Sequence, residues 1–235
     1  MDMKPIMSFS GMWRLPALLM LARYGDPTVK AGYSLHCKLG KFRMPGMEGA
    51  WQFWSGWERE VKALITNLRN GFFVDIGANI GVYTIMAARN GNQVLAVEPN
   101  LTVFKFLMSN VKTNMVADLV DCIQKAAYSH PAHMALKNGR HADTARLSLC
   151  GTGLVPVECD TLDNMLHGRI PDLIKMDAEG SEPAILEGMP ETLFAKPAII
   201  FEALTESALH ACNRILWRAG YKTRRLDRTN FYATA

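Results

Sequence analysis

The sequence predicts an α/β fold built on a doubly wound, mainly parallel sheet covered by helices on both faces. Two patterns carry this expectation. From Phe72 onward, short apolar runs alternate with segments whose apolar residues recur at helical spacing, the signature of βα repetition. The runs are also continuously apolar rather than alternating, which marks strands buried on both sides. The chain has 235 residues, of which 49% are hydrophobic, enough for one large domain with a real core and incompatible with wholesale disorder or collagen-like repeats. Lys and Arg outnumber Asp and Glu by 26 to 22, a formal charge of +4 with no long basic run. That excess is too small and scattered to indicate a nucleic-acid partner by itself.

Taken in order, Met12–Leu21 resembles the apolar part of a signal peptide, but Arg14 and Pro16 interrupt it and no small-residue cleavage site follows. It is also far shorter than the roughly 20 apolar residues that span a bilayer. It is read as a helix docked on the domain, with a membrane-surface or dimer-contact helix as the alternative. Short strands are expected around Tyr33–Lys38 and Lys41–Met44, with a turn at Gly40, before Met44-Pro45-Gly46 breaks the chain. Trp54, Trp57, Val61, Leu64, Ile65 and Leu68 lie at helical spacing within Trp51–Leu68. The aromatic group Trp51, Phe53, Trp54 and Trp57 is read chiefly as helix packing, and otherwise as cover for an apolar or sugar-like ligand.

The repeating part follows. Phe72–Ile76 is a buried strand, Val82–Arg89 a helix stopped at Asn90-Gly91, and Val94–Val97 a second strand. Asn100 caps a helix to about Asn114, with Leu101, Phe104, Leu107, Met108 and Val111 inward. Val120–Ala126 is a third strand, and His130–Gly153 reads as loops and edge strands. Val155–Glu158 and Asp160–Leu166 lead to a fourth buried strand, Leu173–Asp177. Ser181 caps a helix through Glu187 with Pro183 in its first turn. Ala198–Glu202 is the fifth strand, Thr205–Ala219 a helix ended by Gly220, and Tyr221–Leu226 with Asn230–Ala235 form a closing hairpin. Residues 1–56 thus form an N-terminal helical and β appendage, a cap or dimer contact, and 57–235 the main domain. Five cysteines, Cys37, Cys122, Cys150, Cys159 and Cys212, show no CxxC pair or zinc-like ladder and read as reduced thiols of a cytoplasmic protein.

The strongest local signal is Val74-Asp75-Ile76-Gly77-Ala78-Asn79-Ile80-Gly81, between a buried strand and a helix. In a doubly wound sheet the ligand sits at the carboxyl ends of the strands, where glycine lets the backbone come close. A dinucleotide fingerprint requires glycine where Asn79 stands. Asp75, ending the strand, is a poor neighbour for pyrophosphate and a good one for ammonium and sulfonium charges. Glu98, closing the second strand, is placed to accept hydrogen bonds from two ribose hydroxyls. Together these suit S-adenosylmethionine better than NAD, and Gly77, Ala78, Asn79, Gly81, Tyr83, Thr84 and Ala126 complete the candidate cofactor set with Asp75 and Glu98.

With those residues in view, the sequence resembles a known family. Phe73–Thr84 (FVDIGANIGVYT), Val97–Asn100 (VEPN), Ile174–Glu182 (IKMDAEGSE) and Ile200–Glu202 (IFE) look like the FkbM-type methyltransferases, from about Trp57 to Leu204. The block Lys175-x-Asp177-x-Glu179-Gly180-x-Glu182 is the most specific part. The resemblance implies a seven-stranded Rossmann-like sheet with an antiparallel last strand, S-adenosylmethionine as cofactor, and O-methylation of hydroxyls on sugars, glycans or natural products.

Methyl transfer to a hydroxyl needs a positioned acceptor and a base. Side chains alternate along a strand, so Lys175 and Asp177 share a face. Asp177 is the first candidate at the reacting centre, as base or cofactor contact, Glu179 the second, and Lys175 the paired buried charge. Glu182 suits the first turn of a helix. Asp177 and Glu202, at adjacent strand ends, are the candidates for a divalent cation such as Mg²⁺, a weaker reading with no supporting motif. An RNA methyltransferase, resting on Arg214, Arg218, Lys222, Arg224, Arg225 and Arg228, and a non-catalytic cofactor-binding scaffold are the alternatives. The expected partners are a small-molecule or glycan acceptor and a second copy bound through the N-terminal segment, with no membrane-spanning segment.

Overall fold

A computed structural model describes residues 33–45, 52–53, 56–137, 146–148 and 155–235. The expected Met12–Leu21 helix, Trp51, Trp54 and Cys150 lie outside the described residues. The first described element is an antiparallel hairpin, β1 (Tyr33–Cys37) and β2 (Gly40–Met44). Helix α1 (Arg59–Asn67) leads to β3 (Phe72–Ile76), α2 (Val82–Ala88), β4 (Gln93–Val97), α3 (Leu101–Thr113) and β5 (Val120–Ile123). Then come β6 (Ala126–Ala127), β7 (Ala132–Lys137), β8 (Arg146–Ser148), β9 (Val155–Asp160) and α4 (Leu162–Leu166). The chain closes with β10 (Leu173–Met176), α5 (Glu182–Glu187), α6 (Pro190–Ala195), β11 (Ala198–Glu202), α7 (Glu206–Arg218), β12 (Lys222–Arg225) and β13 (Asn230–Thr234).

The main sheet has seven strands in the order β5-β4-β3-β10-β11-β13-β12, and β13 runs antiparallel to both neighbours. This is the doubly wound, Rossmann-like arrangement expected from the sequence. Order reverses between β3 and β10, so a crevice opens beyond the carboxyl ends of those two strands. Each central strand feeds two cores because its side chains alternate. Val74, Ile76, Ile174 and Met176 pack with α4 to α7 on one face. Phe73, Leu173, Val94 and Ala96 pack with α1 to α3 on the other. By the same alternation, Asp75 and Lys175 fall on the α1–α3 face, and the register sets them directly opposite each other.

Several local expectations need correction. Helix α1 starts at Arg59 rather than near Trp51, since Glu58 is left-handed at φ 44° and stops the helix from extending backward. In α3, Leu101 and Met108 are exposed while Val103 and Asn110 are buried, because the helix is rotated to bring Asn110 onto β2. The third strand ends at Ile123, and Ala126–Ala127 joins a second, four-stranded sheet with β9, β7 and β8. Ser181 makes no side-chain cap; the Glu182 carboxylate instead accepts from the Ala178 and Gly180 amides at 2.8 and 3.4 Å. Asn100 does cap α3, its Oδ1 accepting from Thr102 N at 3.0 Å and Val103 N at 3.3 Å. Asn100→Ala is expected to cost about 1 kcal/mol, a drop of about 2–4 °C in Tm on thermal melting.

Candidate active site

The loop after β3 is held from both sides. Gly77 N and Ala78 N both donate to Val97 O at 3.0 Å. Asn79 N donates to Glu98 Oε2 at 2.9 Å, and Asn100 N donates to Glu98 Oε1 at 2.8 Å. Glu98 thus spans the ends of β3 and β4, and burial pushes its carboxyl up to about 7 against those two amide bonds. Gly77 has φ 74°, and a Cβ there would lie 1.8 Å from Asp177 O. The main chain of the loop therefore passes bare against the end of β10.

Behind the loop, Asp75 is 1% exposed and accepts from Thr84 Oγ1 through Oδ2 at 2.6 Å. Its Oδ1 is buried without a hydrogen-bond partner among the described residues. Burial raises the Asp75 carboxyl, opposed by the Lys175 ammonium and the Thr84 hydroxyl. Lys175 is 2% exposed and donates to Asp177 Oδ2 at 3.1 Å, with its Nζ 4.8 Å from the centre of the Tyr83 ring. Burial alone would lower the ammonium; Asp177, Glu58 and Asp75 outweigh it and raise it, so Lys175 stays charged. Asp177 is a third exposed and follows Met176, whose register partner Phe201 precedes Glu202 on the adjoining strand. Burial and the Asp177 charge push Glu202 up to about 8, although Thr229 Oγ1 donates to its Oε1 at 3.1 Å.

These groups meet at a cavity of about 270 Å³ beyond the ends of β3 and β10. Of the residues singled out in the sequence, Gly77, Ala78, Asn79, Tyr83, Glu98 and Ala126 line it, as do Lys175, Asp177, Glu179 and Glu202. Asp75, Gly81 and Thr84 are not part of its wall and support the loop from behind. Glu182 is also withdrawn, 1% exposed and turned onto the Ala178–Gly180 backbone. Among the described residues no three His, Cys, Asp or Glu side chains converge as a metal site.

Sequence reading missed Glu58. The Tyr83 hydroxyl donates to its Oε2 and Asn230 Nδ2 donates to its Oε1 at 3.1 Å, and Glu58 lines the cavity. Its only signal was a carboxylate inside an otherwise amphipathic segment, which a solvated helix face also explains. Trp57, 36% exposed, lines the cavity rather than packing inward, whereas Phe53 is buried against Phe42 with ring centres 4.8 Å apart. Leu136 and Leu147 of the second sheet and Leu204 add apolar wall. Among the described residues no helix is long and apolar enough to cross a membrane.

The family model described as "Methyltransferase FkbM domain" matches residues 75–223, well over half of the chain. Among solved structures, the chain is similar to methyltransferase FkbM from Methylobacillus flagellatus, with 19% identity and a TM-score of 0.54 over 71% of this chain and 44% of that one. The chain thus spans less than half the length of that relative. It is also similar to precorrin-6y C5,15-methyltransferase from Geobacter metallireducens, at 17% identity and TM-score 0.49 over 75% of this chain and 89% of that one. An O-methyltransferase from Bacillus cereus in complex with SAH matches at 14% identity and TM-score 0.48, over 76% and 80%. At 19% identity the likeness to the Methylobacillus flagellatus protein is one of fold. No curated protein matches the sequence.

Proposed function

The chain belongs to the FkbM methyltransferase family, whose methyl donor is S-adenosylmethionine, and from that premise we propose that it O-methylates a hydroxyl on a sugar, glycan or natural-product small molecule. The residues present fit the cofactor. Gly77 leaves the loop backbone bare beside β10, the Glu98 carboxyl sits at the strand end, and among the described residues the cavity wall carries five carboxyl groups, Glu202 protonated up to about pH 8, against the paired ammonium of Lys175. That donor set suits a ligand bearing ribose hydroxyls and cationic groups. Gly77, Ala78, Asn79, Tyr83, Glu98 and Ala126 would hold it, with Asp75, Thr84 and Gly81 bracing the loop. When bound, S-adenosylmethionine supplies an electrophilic methyl group on sulfur.

The observation that carries the reading is Asp177, a partly exposed carboxylate at the cavity whose Oδ2 is pinned by Lys175 Nζ at 3.1 Å. The pinned carboxylate is oriented to take the proton of an acceptor hydroxyl as attack begins. Lys175 is the positioning charge, Glu202 the neighbour whose carboxyl is raised by burial and by the Asp177 charge, and Glu179 a second cavity carboxylate. Trp57, Leu136, Leu147 and Leu204 offer an apolar and aromatic wall for the body of the acceptor. The domain division follows the same reading: residues 57–235 form the catalytic unit and residues 1–56 an N-terminal appendage, a cap or dimer contact. The irregular cysteine spacing supports a cytoplasmic setting. The basic C-terminal residues favour no second function, since none lines the cavity and Arg224 is paired with Glu60 at 3.1 Å.

The test is an acceptor screen with radiolabelled methyl donor, run with and without a chelator. Label is expected in a hydroxylated small molecule or glycan, unaffected by chelation; transfer to RNA alone, or to no acceptor, overturns the proposal. The pH profile follows from Glu202. It keeps its proton up to about pH 8, and once it ionises it adds a negative charge beside the reacting centre, which favours departure of the proton from the acceptor hydroxyl. The turnover rate is expected to rise with pH through about 8 in the wild type. Glu202→Gln, neutral throughout, should flatten that rise while its amide oxygen keeps the Thr229 bond.

A further inference from the structure

Asn110 on α3 is fully buried, and its carboxamide is used on two sides. Its Oδ1 accepts from Arg43 N at 2.6 Å and its Nδ2 donates to Arg43 O at 2.8 Å, pairing with β2 as a neighbouring strand would. The same Nδ2 donates to Ile80 O at 2.8 Å, in the loop between Asn79 and Gly81. One turn later Asn114 repeats the strand-like pairing on Lys41, accepting from Lys41 N at 2.9 Å and donating to Lys41 O at 2.6 Å. Its remaining bond goes to Asn110 O at 2.8 Å. Asn114 therefore anchors the hairpin, whereas Asn110 anchors the hairpin and the loop together.

We infer that Asn110 is a positioning residue that couples the 77–81 loop to the N-terminal hairpin, so that the cofactor and the docked hairpin stabilise each other. This rests on the reading of that loop as the S-adenosylmethionine site. The mechanical path is continuous. Phe42 and Met44 of β2 are each 1% exposed and share a core with Ala78, Ile80 and Val82. Phe42 packs on Phe53, whose neighbour Gln52 lines the cavity together with Trp57 and Glu58. A buried carboxamide that loses one partner is left with an unsatisfied group, so its bonds hold or fail together. A ligand that fixes Ile80 O thereby favours the docked hairpin, and the docked hairpin favours the ligand by the same factor. The consequence is ordered assembly, in which the cofactor settles the wall formed by Gln52, Trp57 and Glu58 before the acceptor arrives.

The test is amide hydrogen exchange on the full chain, with and without S-adenosylhomocysteine, beside calorimetry of the same samples. In the wild type the ligand is expected to slow exchange in the 40–44 segment about fivefold or more, the usual lower range of coupling between sites. In Asn114→Ala the hairpin should exchange faster throughout, yet still be slowed by the ligand to the same extent. In Asn110→Ala that slowing should vanish and the dissociation constant should rise by the factor lost. The wild-type measurement decides the matter even where a variant fails to fold. Binding heat with no change in the hairpin overturns the coupling alone, as does an equal ligand response in the two variants. Absence of binding heat overturns the loop reading, and the coupling with it.

Discussion

Asp177→Asn is expected to abolish methyl transfer while leaving S-adenosylhomocysteine affinity within a factor of a few. The substitution keeps the size of the side chain and an oxygen that can accept from Lys175 Nζ, now at 3.1 Å, but it removes the carboxylate proposed as the proton acceptor. Loss of a general base costs about 10²- to 10⁴-fold in kcat. The buried Lys175 ammonium retains the favourable charges of Glu58 and Asp75, so the fold should survive, as a circular-dichroism melt would verify. Single-turnover transfer with labelled donor measures the chemistry, and calorimetry measures the cofactor separately. A parallel loss of binding and rate would make Asp177 a cofactor contact rather than the base.

The fold was legible because its strands are doubly buried. Phe73, Val74, Ile174, Ile199 and Ile200 are each completely buried, and short apolar runs alternating with helical segments fit a sheet with helices on both faces. The charged residues of the strands were legible for a related reason: Asp75, Lys175 and Glu98 lie inside or end apolar runs, where burial demands a purpose. The second sheet was not legible. In β9, Val155 is exposed while Val157 and Cys159 are buried, and the pairing of this strand with β6 and β7 joins separate stretches of sequence, so no single stretch carries the sheet. Glu58 was hidden because its role depends on Tyr83 and Asn230, which lie 25 and 172 residues away. The rotation of α3 was missed for the same kind of reason, since only the edge of β2 explains why Asn110 rather than Met108 turns inward.

Charge is where bulk numbers mislead most. The whole chain carries +4, yet the cavity wall holds Glu58, Glu98, Asp177, Glu179 and Glu202 against Lys175. Part of the surplus lies on the sheet edge, where β12 is exposed throughout and Arg224 and Arg225 stack over Tyr232 and Phe231. Charged side chains on an edge strand guard it against pairing with another chain, so the basic residues have a structural reason that needs no anionic partner.

Gly77→Ala should be the most damaging single-methyl change in the site. Its φ of 74° is one that an L side chain adopts only under strain, and the added Cβ would lie 1.8 Å from Asp177 O and 2.9 Å from Asp177 C. Neither backbone can yield easily: Gly77 N is bonded to Val97 O at 3.0 Å, and Asp177 N to Ile76 O at 3.0 Å. Relief would have to part β3 from β10 at the point where the site is assembled. A loss above about 4 kcal/mol is expected, the range reserved for core overpacking or broken networks. Gly180→Ala is the matched control, because Gly180 has φ 101° but nothing within 4 Å of a Cβ. It should cost only the conformational strain, about 1–3 kcal/mol, well below the loss expected at Gly77. Thermal melts of the two variants separate the steric cost from the backbone preference. Equal shifts would mean that the close approach of Gly77 to Asp177 carries no weight, and with it the assignment of that glycine to the floor of the cofactor site.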